Sequence, residues 1–270
     1  MPEGPNKLNN EVSFIPSIIK KLIEYIKSTD LYTSIFRIGI PKTPPERLKV
    51  MKSSFYLHIF PPKVRVGAVK LKYTWCAGGI TAFLFLFLTI TGVLLMFYYI
   101  PDEHRAFNDM KDLRFMVPYG VVMRNMHRWA AHGMVFTVIL HMMRVFYTGS
   151  YKPPRQFNWV VGVLLLTITL LLSFTGYLLP WDQLGFWAVT VGTNMASSTP
   201  LIGYEGPFSK YLGIQIDNDI RFALIGGTRI GPNALIRAYV WHCVGLPLIA
   251  TALMVFHFYR VRRDGFSEPM

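Results

Sequence analysis

Charge is what this sequence has least of, and acidic charge above all. Of 270 residues only 16% are charged, with 15 Asp plus Glu against 28 Lys plus Arg, while 52% are hydrophobic. That balance is too apolar and too charge-poor for an ordinary soluble domain of this length, and it points to a membrane protein. Cysteine is nearly absent: Cys76 and Cys243 cannot build a disulfide framework and match no clustered zinc pattern. The sequence has no CxxCH motif, no long repeat and no low-complexity tract. Its N-terminal MPEGPNKLNNEVSF lacks the basic-then-apolar order of a cleavable signal, so the first spanning helix is expected to serve for insertion.

Long apolar runs, in contrast, are plentiful. Four of them, at about 75–100, 119–147, 157–180 and 236–260, each approach or exceed the roughly 20 residues needed to cross the hydrocarbon core. They predict an all-α integral membrane fold, with a four-helix transmembrane bundle occupying residues 73–265 and a short tail at 266–270. In residues 1–72 the stretch 14–28 places Phe14, Ile15, Ile18, Ile19, Leu22, Ile23 and Ile26 at helical spacing, with Lys20, Lys21, Glu24 and Lys27 mostly opposite. That pattern predicts an amphipathic surface helix, too charged to span. From Gly39 to Lys72 the chain is basic and broken by prolines, as a surface connector would be. The long link 181–235 holds short apolar runs between prolines and glycines, which predict amphipathic helices lying at the membrane surface.

Four crossings put the N-terminus, the link between the second and third spans, and the C-terminus on one side. That side carries 19 Lys plus Arg and the other only six. By the positive-inside rule the basic side faces the cytoplasm or its equivalent, the negative side of the membrane. Matrix and stroma are the equivalents of the cytoplasm under that rule. Most of the formal charge of +13 is therefore topology, and no nucleic-acid partner is expected.

Two spans carry histidines inside the apolar run. His127 and His141 on the second are 14 residues apart, roughly 40° out of alignment and roughly 21 Å apart along a helix. His242 and His257 on the fourth are 15 apart, about 60° past four turns. The second and fourth spans run in the same direction, so His127 is level with His242 towards the outer side and His141 with His257 towards the inner side. Two facing imidazoles supply both axial ligands of a haem iron, and two such pairs stack two haems through the bilayer. A packed histidine or a proton relay accounts readily for one such residue, and much less readily for four in two level pairs.

The first and third spans lack histidine but repeat its interval in glycine. Gly78 and Gly92, and Gly162 and Gly176, are each 14 apart. Missing side chains there would let these helices approach the edge of a flat macrocycle. Propionates need cations at each membrane edge, and Arg124 and Arg128 flank the outer pair while Arg144 and Arg262 flank the inner one. His132, about 140° round from His127, is off that face, and His58 and His104 fall in connectors.

Together these residues resemble the N-terminal, haem-binding half of cytochrome b, the quinol-oxidising subunit of bc-type and b6f-type complexes. The likeness runs over roughly residues 60–265 and rests on HRWAAHGMVFTVILHMMRVFYTGSYKPPRQFNW, on GYLLPWDQLGFWAVTV at 176–191 and on both histidine pairs. The 15-residue interval in the fourth span and WCAGGIT at 75–81 look like the shorter cytochrome b6 form. The resemblance implies that His127 and His242 bind the low-potential outer haem b, and His141 and His257 the high-potential inner one. It implies an outer quinol pocket to which Trp181, Gly185 and Trp187 contribute, and an inner quinone pocket near His257, Arg262 and the start of the first span. Cys76 falls where the b6 type attaches a third, c-type haem through one thioether bond. The implied partners are a Rieske iron–sulfur protein, a separate subunit carrying the C-terminal half of cytochrome b, and a c-type cytochrome or plastocyanin-type acceptor, in a dimeric complex. Two rivals stand beside this expectation: a dihaem membrane anchor of another quinone-linked oxidoreductase, and a proton transporter with a histidine relay.

Overall fold

The computed structural model describes residues 17–29, 41–53, 70–71 and 75–267. The chain divides into two units, Met1–Pro62 and Lys63–Met270. In the first, α1 (Ser17–Ser28) carries part of the predicted apolar stripe, with Ile19, Leu22, Ile23 and Ile26 exposed. Helix α2 (Pro44–Ser53) opens with a capping box. Thr43 Oγ1 accepts from the Glu46 amide at 3.4 Å, and the Glu46 carboxylate accepts from the amides of Thr43 at 3.2 Å and Lys42 at 2.9 Å. Those amide bonds hold the Glu46 carboxyl below its ordinary range. Phe14 and Ile15, most of the expected connector with His58, the expected boundary at residue 72, and the tail beyond Ser267 lie outside the described residues.

The second unit is built on four long helical spans. Helix α3 (Ala77–Met96) is the first, and α4 (Ala106–Phe115) links it to the second, α5 (Gly120–Tyr147). The third span is α6 (Gln156–Leu178). After α7 (Gln183–Ser197), a 3₁₀ turn at Ser209–Leu212 and α8 (Ile220–Ile225), the fourth span is composite. It consists of α9 (Pro232–Val240), a π turn at Trp241–Gly245 and α10 (Leu246–Asp264), and so starts a turn earlier than expected.

Helices are what such apolar runs must form, because hydrocarbon offers no partner to an unpaired backbone group. Large side chains such as Phe83, Leu86 and Ile90 on α3 and Leu248 and Val255 on α10 point outward and are exposed, as a lipid-facing surface requires. Many inward positions are small or carry hydroxyls: Ala77, Thr91, Ala130, Gly162, Thr169 and Ala250 are buried, alongside Met134, Val138, Val161 and Leu246. Small residues let the backbones approach, and hydroxyls bond across or back to their own helix. Thr81 donates to Thr137 at 2.9 Å between α3 and α5.

The link between the third and fourth spans packs as a lobe over one end of the bundle. Asp182 caps α7 by accepting from the Gly185 amide at 2.8 Å, and Asp219 caps α8 by accepting from the Phe222 amide at 2.7 Å. Gly226, at φ +73°, ends α8, and Pro232 opens α9 without leaving an amide unpaired. The lobe's interior joins Leu178, Val189, Ile225, Ala234 and Ala238, beside Tyr99, Ala106 and Leu235. Tyr99 stacks on Tyr239 at 5.7 Å and donates to the Leu179 carbonyl at 2.7 Å, so the ends of α3, α6 and α9 are tied together. Burial pushes the Tyr99 phenol well above its ordinary range, which keeps it a donor.

Candidate functional site

The bundle interior brings the four spanning histidines together in two pairs. His127 on α5 faces His242 with ring centroids 6.3 Å apart, and His141 faces His257 at 6.4 Å. One metal ion between two imidazoles requires metal–nitrogen bonds of about 2.0–2.1 Å and about 1.1 Å more from each nitrogen to its ring centre, roughly 6.3 Å in all. Both pairs meet that distance. Axial coordination leaves rotation about the axis open, so ring planes 73° and 80° apart are compatible with it. Among the described residues no group of three or more His, Cys, Asp or Glu side chains could hold a metal ion. An ion between either pair must therefore bring the rest of its coordination with it, as the iron of a macrocycle does.

Each of the four glycines stands against a different one of these histidines. A Cβ on Gly176 would lie 2.6 Å from His242 Cε1, and one on Gly78 would lie 3.0 Å from His141 Cε1. On Gly92 the distance to His127 Cε1 would be 3.3 Å, and on Gly162 that to His257 Cε1 would be 3.8 Å. At Gly176, Gly78 and Gly92 a side chain would therefore press on an imidazole ring, while at Gly162 the nearest atom is Met142 Sδ at 3.5 Å. Around the outer pair Gly92, Ala131, Met134, Leu172 and Cys243 help to line a cavity of about 120 Å³.

The outer histidines are oriented by threonines that precede the glycines. Thr91 Oγ1 lies 2.9 Å from His127 Nδ1, and Thr175 Oγ1 lies 3.2 Å from His242 Nδ1. His242 Nδ1 is also 3.1 Å from the Leu172 carbonyl, which can only accept, so Nδ1 carries the proton and Nε2 is left with its lone pair. Thr91 gives its single proton to the Phe87 carbonyl at 2.9 Å and can then accept from His127 Nδ1. Both outer rings are fixed in the tautomer a metal ligand needs. Sequence reading passed over these threonines, although the Thr-Gly pair at 91–92 recurs at 175–176.

The π turn is the other feature read only from structure. Its Leu246 amide bonds back to the Trp241 carbonyl, an i→i+5 bond that takes in one more residue than an α turn. The 15-residue interval on the fourth span therefore turns the chain about as far as the 14-residue interval on α5, and both histidines face inward. Pro247, five residues past His242, was the legible signal of a broken ladder.

Other candidate residues are more scattered. Arg124, Arg144 and Arg262 are half-buried, while Arg128 is exposed, its guanidinium 6.0 Å from the Trp129 ring centre. Exposed His132 packs edge-on against Trp129 at 5.7 Å, off the paired face. Trp181, at φ +48°, wedges between both apolar clusters of the lobe. Gly185 is buried where a Cβ would come within 3.3 Å of the Tyr177 carbonyl, so a close helix crossing accounts for it. Trp187 is exposed and donates to Gln183 at 3.2 Å. Cys76 is exposed at the N-terminus of α3, where it and Trp75 hold left-handed φ values of +49° and +50°. Cys243 is half-buried beside the outer pair.

Known proteins resemble this chain in sequence and fold. A family model described as Cytochrome b/b6/petB matches residues 65–265. Cytochrome b6 of Heliomicrobium gestii is 38% identical over 200 residues, covering 74% of this chain and 87% of the relative. Cytochrome b6 of Emiliania huxleyi is 39% identical over 196 residues, covering 73% and 85%. A solved chain described as "Hyperthermophilic respiratory Complex III" superposes with a TM-score of 0.67 at 25% identity; the match covers 92% of this chain but only 56% of that longer one. With the family matched along most of its length and the paired histidines inside four apolar spans, the protein belongs to the cytochrome b/b6 family of haem-b-binding, electron-transporting integral membrane proteins.

Proposed function

We propose that the protein is the cytochrome b subunit of a quinol–cytochrome c reductase of the Rieske/cytochrome b type. In this role it carries electrons from an outer quinol-oxidation site through two b haems to an inner quinone-reduction site. The observation that carries the proposal is the two level imidazole pairs, 6.3 and 6.4 Å between ring centres, each ring with its own glycine. Haem iron, when bound, supplies one-electron chemistry that no side chain here offers. His127 and His242 hold the outer, low-potential haem b, and His141 and His257 the inner, high-potential one. Thr91, Thr175 and the Leu172 carbonyl keep the outer imidazoles aligned, and the apolar spans keep water away from both pairs. Arg124 and Arg128 at the outer edge, and Arg144 at the inner, offer cations to the propionates. The Trp181–Trp187 segment belongs to the outer quinol pocket, and Arg262 with the start of α3 to the inner one. The proposed partners are a Rieske iron–sulfur protein, a subunit carrying the C-terminal half of cytochrome b and a c-type cytochrome, in a dimeric complex. The excess of Lys and Arg on the inner-end loops supports an orientation with both termini on the negative side of the membrane.

Potentiometric titration of the purified complex, followed by its reduced-minus-oxidised spectrum, tests this reading. Two b-type transitions of different potential are expected; a single transition, or no b-type band, overturns it.

A third haem joined through one thioether to Cys76 is the remaining part of the proposal. Cys76 is exposed two residues before Gly78, the glycine that abuts His141, and two successive left-handed residues present it there. A denaturing gel of the wild type stained for haem peroxidase activity is expected to show a band at this chain's mass that Cys76→Ala abolishes. A blank wild-type lane removes the third haem and leaves the first two.

A further inference from the structure

Beyond the inner histidine pair lies a group of buried polar atoms with no role so far. Arg155, the residue that precedes α6, and Asn158 and Gly162 on that helix recur at the spacing of one face, and Gly162 is the glycine that faces His257. On α10, Arg260 and Asp264 come three and seven residues after His257, within about 60° and about 20° of its direction. Arg262 is about 140° away from that direction. Arg260 Nη2 pairs with Asp264 Oδ2 at 2.9 Å, with side chains only 16% and 7% exposed. Its guanidinium also lies 5.5 Å from the Phe157 ring centre, and Phe157 is wedged edge-on against Phe256 at 5.8 Å. Arg260 is therefore clamped from two directions.

Even so, Arg260 Nε, Arg155 Nε and Asn158 Oδ1 are buried without a hydrogen-bond partner, as are His257 Nδ1 and Asp264 Oδ2, which meets Arg260 only as an ion pair. Leaving such an atom unpaired costs about 1–3 kcal/mol, and more on a charged group, so native interiors rarely keep several together. Two of these atoms are guanidinium donors, and their complement is an anionic oxygen. A lipid phosphate and a carboxylate share that chemistry. Position favours the carboxylate, because Arg260 is about 60° round α10 from His257 and Arg155 shares a helix face with Gly162, which meets His257.

We propose that Arg155 and Arg260, the latter clamped by Asp264 and Phe157, hold a propionate carboxylate of the inner haem, and that the Arg260–Asp264 pair sets that haem's reduction potential. This rests on the assignment of His141 and His257 above. Removing the cation disfavours the reduced centre, and removing the carboxylate favours it, so the two changes act in opposite directions.

Redox titration of the purified complex tests the idea. Arg260→Leu is expected to lower the inner transition by at least a tenfold change in its equilibrium, 59 mV for one electron. Asp264→Asn is expected to raise it, Arg260→Lys to fall between Arg260→Leu and the wild type, and the outer transition to stay in place. Shifts under twofold, shifts of one sign for both variants, or a larger shift in Arg262→Leu overturn the proposal, and a lipid phosphate at the site would give the first of these. A wild type without two b-type transitions sinks both this and the reading it rests on, whereas an unmoved inner transition against a normal wild type sinks this alone.

Discussion

On the proposed two-haem assignment, Gly176→Ala is expected to weaken the outer haem and leave the inner one in place. The new methyl would stand 2.6 Å from His242 Cε1, 3.1 Å from Nδ1 and 3.2 Å from Nε2, closer than non-bonded carbon atoms approach. The ring cannot simply turn away, because its Nδ1 is held by the Leu172 carbonyl and Thr175 Oγ1. Overpacking of this kind costs about 1–3 kcal/mol, which is about 5- to 150-fold in haem affinity if it falls on the bound state. The same substitution at the other three positions gives a graded series. Gly78→Ala, at 3.0 Å from His141, should weaken the inner haem; Gly92→Ala, at 3.3 Å from His127, should weaken the outer haem less than Gly176→Ala does. Gly162→Ala should be nearly silent, since its nearest neighbour is the flexible Met142 thioether at 3.5 Å. Haem content by pyridine haemochrome, with each transition resolved by titration, reads the series. A greater loss in Gly162→Ala than in Gly176→Ala would sink the claim that these glycines exist for the imidazoles.

That gradation shows where the sequence was informative and where it stopped. Apolar runs set the four spans to within a turn at most ends, because in hydrocarbon a 20-residue apolar segment has little choice but helix. The histidine and glycine intervals were equally legible, since a helix converts spacing into direction. What spacing does not carry is the identity of the atom across the gap. The glycines proved to face imidazoles, and their clearances differ by more than an ångström for reasons that lie in how α3 and α6 pack on their neighbours. Thr91 and Thr175 bond back to their own helices as well as to the histidines, and the sequence carries no sign of the second contact. Arg262 drew attention as a cation near the inner end, yet Arg260 is the arginine on the histidine's side of the helix. A rotation of about 200° between residues two apart separates them, which the spacing from His257 already carries.

The π turn leads to the second large effect, an asymmetry between deletion and insertion. An uninterrupted α-helix would leave His257 about 60° past the direction of His242, whereas the 14-residue interval on α5 ends about 40° short, a mismatch of one residue's turn. The Leu246-to-Trp241 bond absorbs that residue beside His242. Two residues favour the turn there. Pro247 has no amide for the Cys243 carbonyl and would press its ring against it in an α-helix. Gly245 leaves space for the Trp241 ring, which a Cβ would meet at 2.5 Å. Deleting Val244 together with Pro247→Ala should therefore let the fourth span close as a plain α-helix with a 14-residue interval, and both haems should be retained. Inserting one alanine after Val244 should swing His257 about 100° out of the bundle, remove one axial ligand, and halve the b-haem content. Haem-to-protein ratio and the number of resolved redox transitions distinguish the two. Equal loss from the deletion and the insertion would mean that the π turn does not align the ligands, and the fourth span's phase would need another cause.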